Sequence, residues 1–176
     1  MHYPYPLIEE LLEKFRLSIG VDFDRYRNHV YRVFLSCLLL DDNKLNEEKY
    51  ALAAVFHDIG IWTDHTFDYL NPSIEQAKIY LHSIGRQDWT DEISQMIYWH
   101  HKLSTYQGKF GKLVETFRKA DWIDVSLGVF TFGIDTQKIR QNRRMLPNRG
   151  FHFFLVRETA KNLLKHPFNP LPIFKR

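Results

Sequence analysis

Apolar side chains recur at helical spacing along most of the chain, and few stretches alternate with the period of two that marks a half-buried strand. Prolines near first turns and glycines near ends delimit the segments. The pattern predicts an all-α, single-domain bundle of about seven to eight helices. The predicted helices run from 7 to about 18, from a cap at 22 or 24 to 40, from a cap at 46 to 59, from 71 to about 83, from 88 or 90 to 102, from about 109 to 127, from about 136 to 145 and from about 151 to 165.

The second predicted helix is apolar around almost its whole circumference, with Val30, Val33, Phe34 and Cys37 on different sides. A helix on the surface of a bundle keeps one polar face, whereas a central helix does not. We therefore expect this helix to run through the middle of the bundle.

The third predicted helix ends an apolar run with an adjacent histidine and aspartate, His57 and Asp58. Both point away from the main apolar stripe, on the side of two alanines where a neighbouring helix can come close. Buried polar groups cost free energy unless something satisfies them, and a metal ion bound by both would do so. We predict that Gly60 stops this helix and that the loop over residues 61–70 forms one wall of a site.

Two further helices bring histidine or aspartate inward. His100 and His101 end the fifth predicted helix, and Asp121 and Asp124 share the inner side of the sixth. Both aspartates need an inward partner, and periodicity does not choose between them. For His29, early in the second helix, the alternative to a ligand is a core histidine bonded to a carbonyl.

Composition and charge are those of an ordinary globular protein, with 176 residues and a net charge of +3. That charge is too small to indicate specific nucleic-acid binding, and the longest apolar stretch, residues 33–40, is too short to span a bilayer. The first residues lack a signal-peptide pattern, and the lone Cys37 fits a reducing compartment. We therefore expect a cytoplasmic protein with no membrane partner. The basic cluster over residues 138–157 is either a solvated face or an anion-binding rim.

Taken in order, these residues resemble the HD superfamily of metal-dependent phosphohydrolases, which carries a histidine, a His-Asp doublet and a distant aspartate on an all-α bundle. The residues that carry the resemblance are Asn28-His29-Val30, Val55-Phe56-His57-Asp58-Ile59-Gly60, Trp99-His100-His101 and Lys119-Ala120-Asp121. The resemblance covers about residues 20–130, which leaves a C-terminal helical extension over 131–176 in a single domain, 1–176. The ligands that it implies for a first metal are His29, His57, Asp58 and Asp121. It thereby favours Asp121 over Asp124.

The metal itself is open, because imidazole and carboxylate ligands together accept Mn, Fe, Co, Ni, Zn or Mg. Members of the superfamily with two metals have a further histidine just before the fourth helix, where this chain has Asn71. An amide is a poorer ligand, so we expect one divalent ion per chain. His100 and His101 would then complete a partial second site, orient the nucleophilic water or bind the leaving phosphate.

The resemblance implies hydrolysis of a small phosphorylated metabolite or nucleotide. The metal would polarise a phosphoryl oxygen and lower the pKa of a water molecule that Asp58 helps to hold. His100 or His101 would donate a proton to the leaving oxygen. The residues expected to neutralise the phosphate charge are Lys102, Arg149 and His152.

Two other functions stay open on the sequence. The same metal site could serve a redox oxygenase or a hydratase of a small nitrile-like substrate, although Asn71 counts against a full di-iron ligand set. The chain could also be a metal-stabilised nucleotide-binding module without turnover. The oligomeric state is open as well, since the aromatic residues of the C-terminal third could form a partner surface, namely Phe130, Phe132, Phe151, Phe153 and Phe154.

Overall fold

The computed structural model describes residues 3–66 and 68–165. The helices are α1 Pro6–Lys14, α2 Arg16–Ile19, α3 Phe23–Leu40, α4 Glu47–Phe56, α5 Gly60–Thr63, α6 Leu70–Ser83, α7 Thr90–Trp99, α8 Gly111–Val125, α9 Thr136–Met145 and α10 Phe151–Lys165. Within the described residues no strand occurs, and the all-α prediction is confirmed. The end of the predicted C-terminal extension, residues 166–176, lies outside the described residues.

Helix boundaries match the sequence pattern best at the C-terminal end, where α9 and α10 begin and end as predicted. The first predicted helix, 7–18, is instead divided into α1 and α2 at Phe15, whose backbone leaves the helical region at φ −98° and ψ 2°. The Phe15 ring packs edge-on against Phe56, with ring centroids 5.8 Å apart. The aromatic contact with α4 thus coincides with the break in the helix.

α3 runs through the middle of the bundle, as its apolar pattern predicts. Val30, Val33 and Phe34 have no exposed surface, and the helix packs against α4 and α8. Polar residues of α3 are buried as well, among them His29 and Arg32. Each of these polar groups needs a partner inside the protein.

Gly60 does not stop a helix, so that prediction is wrong. α4 ends at Phe56 and Gly60 begins α5, which makes the first part of the predicted 61–70 loop helical. The Gly60 N–H donates to Ser73 Oγ at 3.0 Å, and a Cβ at Gly60 would lie 2.6 Å from Tyr69 O. Glycine is required here because the two backbones approach too closely for a side chain.

α9 and α10 fold back onto the central helix. Arg32 Nη1 donates to Leu146 O at 3.0 Å, and Asn28 Nδ2 donates to Pro147 O at 2.8 Å. Phe151, at the start of α10, is fully buried in the main hydrophobic core. The C-terminal extension therefore shares its core with the helices that carry the candidate ligands.

None of the helices in residues 3–66 and 68–165 combines the length and the apolar character that a bilayer span requires.

Candidate metal centre

The candidate ligands come from four parts of the chain and meet inside the bundle. They are His29 on α3, His57 and Asp58 after α4, His100 and His101 after α7, and Asp121 on α8. All three of His29, His57 and His100 are without exposed surface, and neither Asp58 nor Asp121 is more than 2% exposed. Ionisable side chains at this depth need charge compensation or a bound ion.

Two imidazoles face each other at the centre of the site. The Nε2 atoms of His29 and His57 are 2.9 Å apart. His57 Nδ1 donates to Ala54 O at 2.8 Å, and His29 Nδ1 donates to the Asp124 carboxylate at 2.7 Å. Because both Nδ1 atoms are used on the outside, both Nε2 atoms are directed into the site.

Two carboxylates lie beside this histidine pair. Asp58 Oδ2 is 3.3 Å from His57 Nε2 and 3.6 Å from His29 Nε2. Asp121 Oδ1 is 3.6 Å from His29 Nε2 and 3.9 Å from His57 Nε2. Each carboxylate therefore lies within 4 Å of both Nε2 atoms, which brings together the four side chains that the resemblance implies as ligands, namely those of His29, His57, Asp58 and Asp121.

Asp58 also belongs to a second group, with His100 and His101. Its other oxygen, Oδ1, is 3.4 Å from His100 Nε2, while Asp121 Oδ2 is 3.6 Å from His101 Nδ1. A hydrogen bond of 2.5 Å joins His101 Nε2 to the hydroxyl of Tyr69, a buried residue just before α6. Either three-residue group, His29-His57-Asp58 or Asp58-His100-His101, has its ligand atoms within 4.8 Å of one another.

Burial and neighbouring charges shift the pKa values of the candidate ligands in different directions. Burial opposes the charged form of His57, but the carboxylates of Asp58 and Asp121 outweigh it and raise the pKa of His57 to about 9. Burial lowers the pKa of His29 to about 4, against the opposing effect of Asp124. Burial also raises the pKa of Asp121 well above its ordinary value. These shifts favour a protonated His57 beside a neutral His29, so the two carboxylates stabilise positive charge at the His57 ring.

Six buried side-chain atoms of the described residues have no hydrogen-bond partner, and three of them lie in this cluster, namely Asp58 Oδ1, His100 Nε2 and Asp121 Oδ1. His100 Nδ1 donates to Ile97 O at 2.6 Å, so its Nε2 presents a lone pair to the lone pairs of Asp58 Oδ1. An unsatisfied buried polar atom costs about 1–3 kcal/mol. A divalent cation accepts electron pairs from imidazole nitrogen and carboxylate oxygen alike, so the donor set fits such an ion.

A family model for the HD domain matches residues 26–126, which include every candidate ligand from His29 to Asp121. The chain belongs to the HD-domain family. Comparisons with curated proteins and with solved structures give no significant match. The HD-domain region ends after α8, so α9 and α10 are additions to it.

Asn71 has an exposed side chain that lines a surface groove between α6 and α7. The candidate ligands lie inside the bundle, so Asn71 is not part of their cluster.

The residues predicted to bind phosphate lie in three different settings. Lys102 is buried directly after the histidine pair, with its Nζ 4.9 Å from the centre of the Tyr98 ring, and burial lowers its pKa. Arg149 is more than half exposed, with Nη1 3.7 Å from Asp24 Oδ2. His152 Nε2 is 3.0 Å from Asp124 O, at the C-terminal end of α8. Of the three, Lys102 directly follows a candidate ligand in the chain. Arg149 is paired with Asp24, and His152 contacts the backbone at the end of α8.

Sequence reasoning placed Asp124 on the inner side of its helix but missed its contact with His29, and it missed Tyr69 altogether. Asp124 is hydrogen-bonded to His29 and to Arg32. A signal for this contact was Arg32 itself, a cation one helical turn after His29 on the central helix. Tyr69 contacts His101 from the end of an irregular segment, where no periodic pattern predicts its direction.

Proposed function

We propose that the protein is a metal-dependent phosphohydrolase that acts on a small phosphorylated metabolite or nucleotide. The observation that carries the proposal is the set of buried imidazole and carboxylate atoms that converge without partners at Asp58, His100 and Asp121. Membership of the HD-domain family supports it, because that family consists mostly of metal-dependent phosphohydrolases.

The proposed ligands of the first divalent ion are His29, His57, Asp58 and Asp121. Asp58 has one oxygen towards the His29–His57 pair and the other towards His100. His100 and His101 with Asp58 form a partial second set, which would bind a second ion more weakly than the first. Mn, Fe, Co, Ni, Zn and Mg all remain compatible with these donors.

A divalent ion held here would polarise a phosphoryl oxygen and lower the pKa of the attacking water. Burial lowers the pKa of His100, so the ring is neutral at pH 7 and its Nε2 lone pair accepts rather than donates a proton. We assign His100 and Asp58 to holding the attacking water.

Protonation of the leaving oxygen needs a group that keeps its proton at neutral pH. Burial raises the pKa of Tyr69 well above 10, so its hydroxyl stays protonated, and it is hydrogen-bonded to His101. We assign the Tyr69–His101 pair as the proton donor. Lys102 is proposed to neutralise phosphate charge, because it directly follows His101.

The experiment that tests the proposal is a hydrolysis screen of phosphomonoesters, phosphodiesters and nucleotides with each candidate divalent ion. We expect turnover by the wild type and none by Asp58→Ala, with far-UV circular dichroism unchanged. Asp68→Ala is the matched control, because Asp68 is an exposed aspartate ten residues further along the chain. An equal rate in Asp58→Ala would remove this site as the catalyst. Oxygen uptake with bound iron would favour the oxygenase, and tight nucleotide binding without turnover would favour the binding module.

A further inference from the structure

Asp124 is the most heavily bonded carboxylate near the candidate metal centre, although it is not among the proposed ligands. It lies on α8 one turn after Asp121 and is 2% exposed. Its Oδ2 accepts from His29 Nδ1 at 2.7 Å and from Arg32 Nη2 at 2.8 Å. Its Oδ1 accepts from Arg32 Nε at 2.5 Å and from Arg143 Nη1 at 3.0 Å.

Because of these four hydrogen bonds, Asp124 and Asp121 have different roles. Asp121 Oδ1 has no hydrogen-bond partner and faces the histidine pair, whereas both oxygens of Asp124 are occupied by donors. A carboxylate in this position fixes a metal-binding imidazole in one tautomer and one orientation. Asp124 therefore keeps the proton of His29 on Nδ1 and directs Nε2 towards the centre.

One of the two arginines that hold Asp124 comes from outside the HD-domain match, which ends at residue 126. Arg32 lies on α3, three residues after His29, but Arg143 lies on α9. Arg143 is the only basic residue of α9 that bonds to Asp124, and Arg144 beside it is exposed.

The same extension also contacts the His29 ring directly. Phe151, on α10, stacks on the imidazole with ring centroids 4.1 Å apart and an angle of 19° between the planes. His29 is thus held at its Nδ1 through Asp124 and across its face by Phe151. Phe151, and the Arg143 that donates to Asp124, both lie C-terminal to the HD-domain region.

We propose that Arg143 is a positioning residue of the metal centre, which acts through Asp124 on the orientation of His29. The C-terminal extension is then a functional part of the site as well as a cover for the core. The inference rests on the proposed function, because it takes His29 as a metal ligand. Without Arg143, Oδ1 of Asp124 keeps a single donor, and the carboxylate is freer to turn away from His29.

The alternative is that Arg143 only fastens α9 to α8. The two roles differ in what they change, because a fastening contact affects thermal stability but not the ligand field of a bound ion. Co²⁺ is a suitable probe, since its visible absorption reports on the geometry and identity of its ligands.

The test is a Co²⁺ titration of the full chain, followed by visible absorption and calorimetry. The variants are Arg143→Gln, Arg143→Lys and the matched control Arg144→Gln, each with its melting temperature. We expect Arg143→Gln to weaken Co²⁺ binding by about three- to tenfold and to alter the spectrum, below the roughly 10–100-fold loss that removal of the direct partner of a ligand causes. Arg143→Lys should recover most of the affinity, and Arg144→Gln should match the wild type.

Two results would overturn the inference. Equal affinity and spectrum in Arg143→Gln and Arg144→Gln would do so, even if Arg143→Gln melts at a lower temperature, because the role would then be structural. A wild-type protein that binds no Co²⁺ would overturn the proposed function and this inference together, which distinguishes the two failures.

Discussion

The Nε2 atoms of His29 and His57 face each other at 2.9 Å, with neither ring exposed to solvent. With Nδ1 of each ring bonded outward, only one proton can lie between the two nitrogens. A divalent ion would be bound through the same Nε2 lone pairs, so metal binding and protonation would compete for the same electron pairs.

Metal affinity should therefore increase with pH. The carboxylates overcome the effect of burial and raise the pKa of His57 to about 9, so at pH 7.5 the ion must displace a proton from its ring. We expect binding to strengthen from pH 6 to about pH 9 and to level off above it. Calorimetry in two buffers of different ionisation enthalpy measures the protons released. No proton release at pH 7.5 would contradict binding of the ion through the His57 ring.

The purified protein should contain about one equivalent of a divalent ion, from the first ligand group. His57→Ala should lose it, because the substitution removes a nitrogen donor at the centre of that group. Elemental analysis of both proteins measures the content, with the exposed His82→Ala as the control. Two equivalents, particularly of iron, would show that the Asp58-His100-His101 group is also filled and would revive the oxygenase.

Gly60→Ala should destabilise the protein by about 1–3 kcal/mol, as overpacking of a close contact does. The new Cβ would lie 2.6 Å from Tyr69 O and 2.9 Å from Pro72 Cβ, so the segment that carries Tyr69 must move. Urea unfolding measures the change. Gly111→Ala is the control, because it has no atom within 4 Å and begins α8, where alanine is neutral or stabilising. Similar unfolding midpoints for the two variants would refute the close approach.

Asp41→Asn should cost about 1–3 kcal/mol at pH 7, because a buried carboxylate loses its charge-assisted hydrogen bonds. Asp41 accepts from Tyr50 Oη and Asn46 Nδ2, and Lys112 Nζ is 2.7 Å away. Burial opposes the charged form, but these donors outweigh it and lower the pKa of Asp41 to about 2.

The sign of the pH effect follows from that lowered pKa. The stabilisation is complete above the ordinary pKa of 3.8 and is lost as the pH falls towards about 2. The difference in unfolding free energy between wild type and Asp41→Asn should therefore narrow below pH 4. The exposed neighbour Asp42→Asn serves as control, and a gap that stays constant down to pH 2 would count against the charged network.

The sequence predicted the helices well where a periodic pattern carries the information, and it predicted a buried His-Asp doublet. His57 and Asp58 end an apolar helix in the sequence, and in the structure they are buried at the end of α4. The pattern predicts that Gly60 ends a helix, whereas in the structure it begins one. Glycine both ends helices and permits close backbone contact, and the sequence does not distinguish these two uses.

The periodic pattern does not predict the different contacts of Asp121 and Asp124. Both are buried on the same face of α8, so periodicity gives them equal weight. They differ only in which donors other parts of the chain bring to them. The sequence places Arg143 in a basic cluster that is either a solvated face or an anion-binding rim. In the structure Arg143 follows the buried Ile139 by four residues, so it lies on the inner side of α9.

His29 and the carboxylate that orients it are 95 positions apart in the chain, and Arg143 lies a further 19 positions beyond Asp124. Contacts of such sequence separation close slowly, because the loop entropy is lost before the contact forms. These contacts therefore exist only once α9 and α10 have packed onto α3 and α8. A chain interrupted before α9 would keep the candidate ligands but would lack Arg143 and Phe151, the two side chains of the extension that contact Asp124 and the His29 ring.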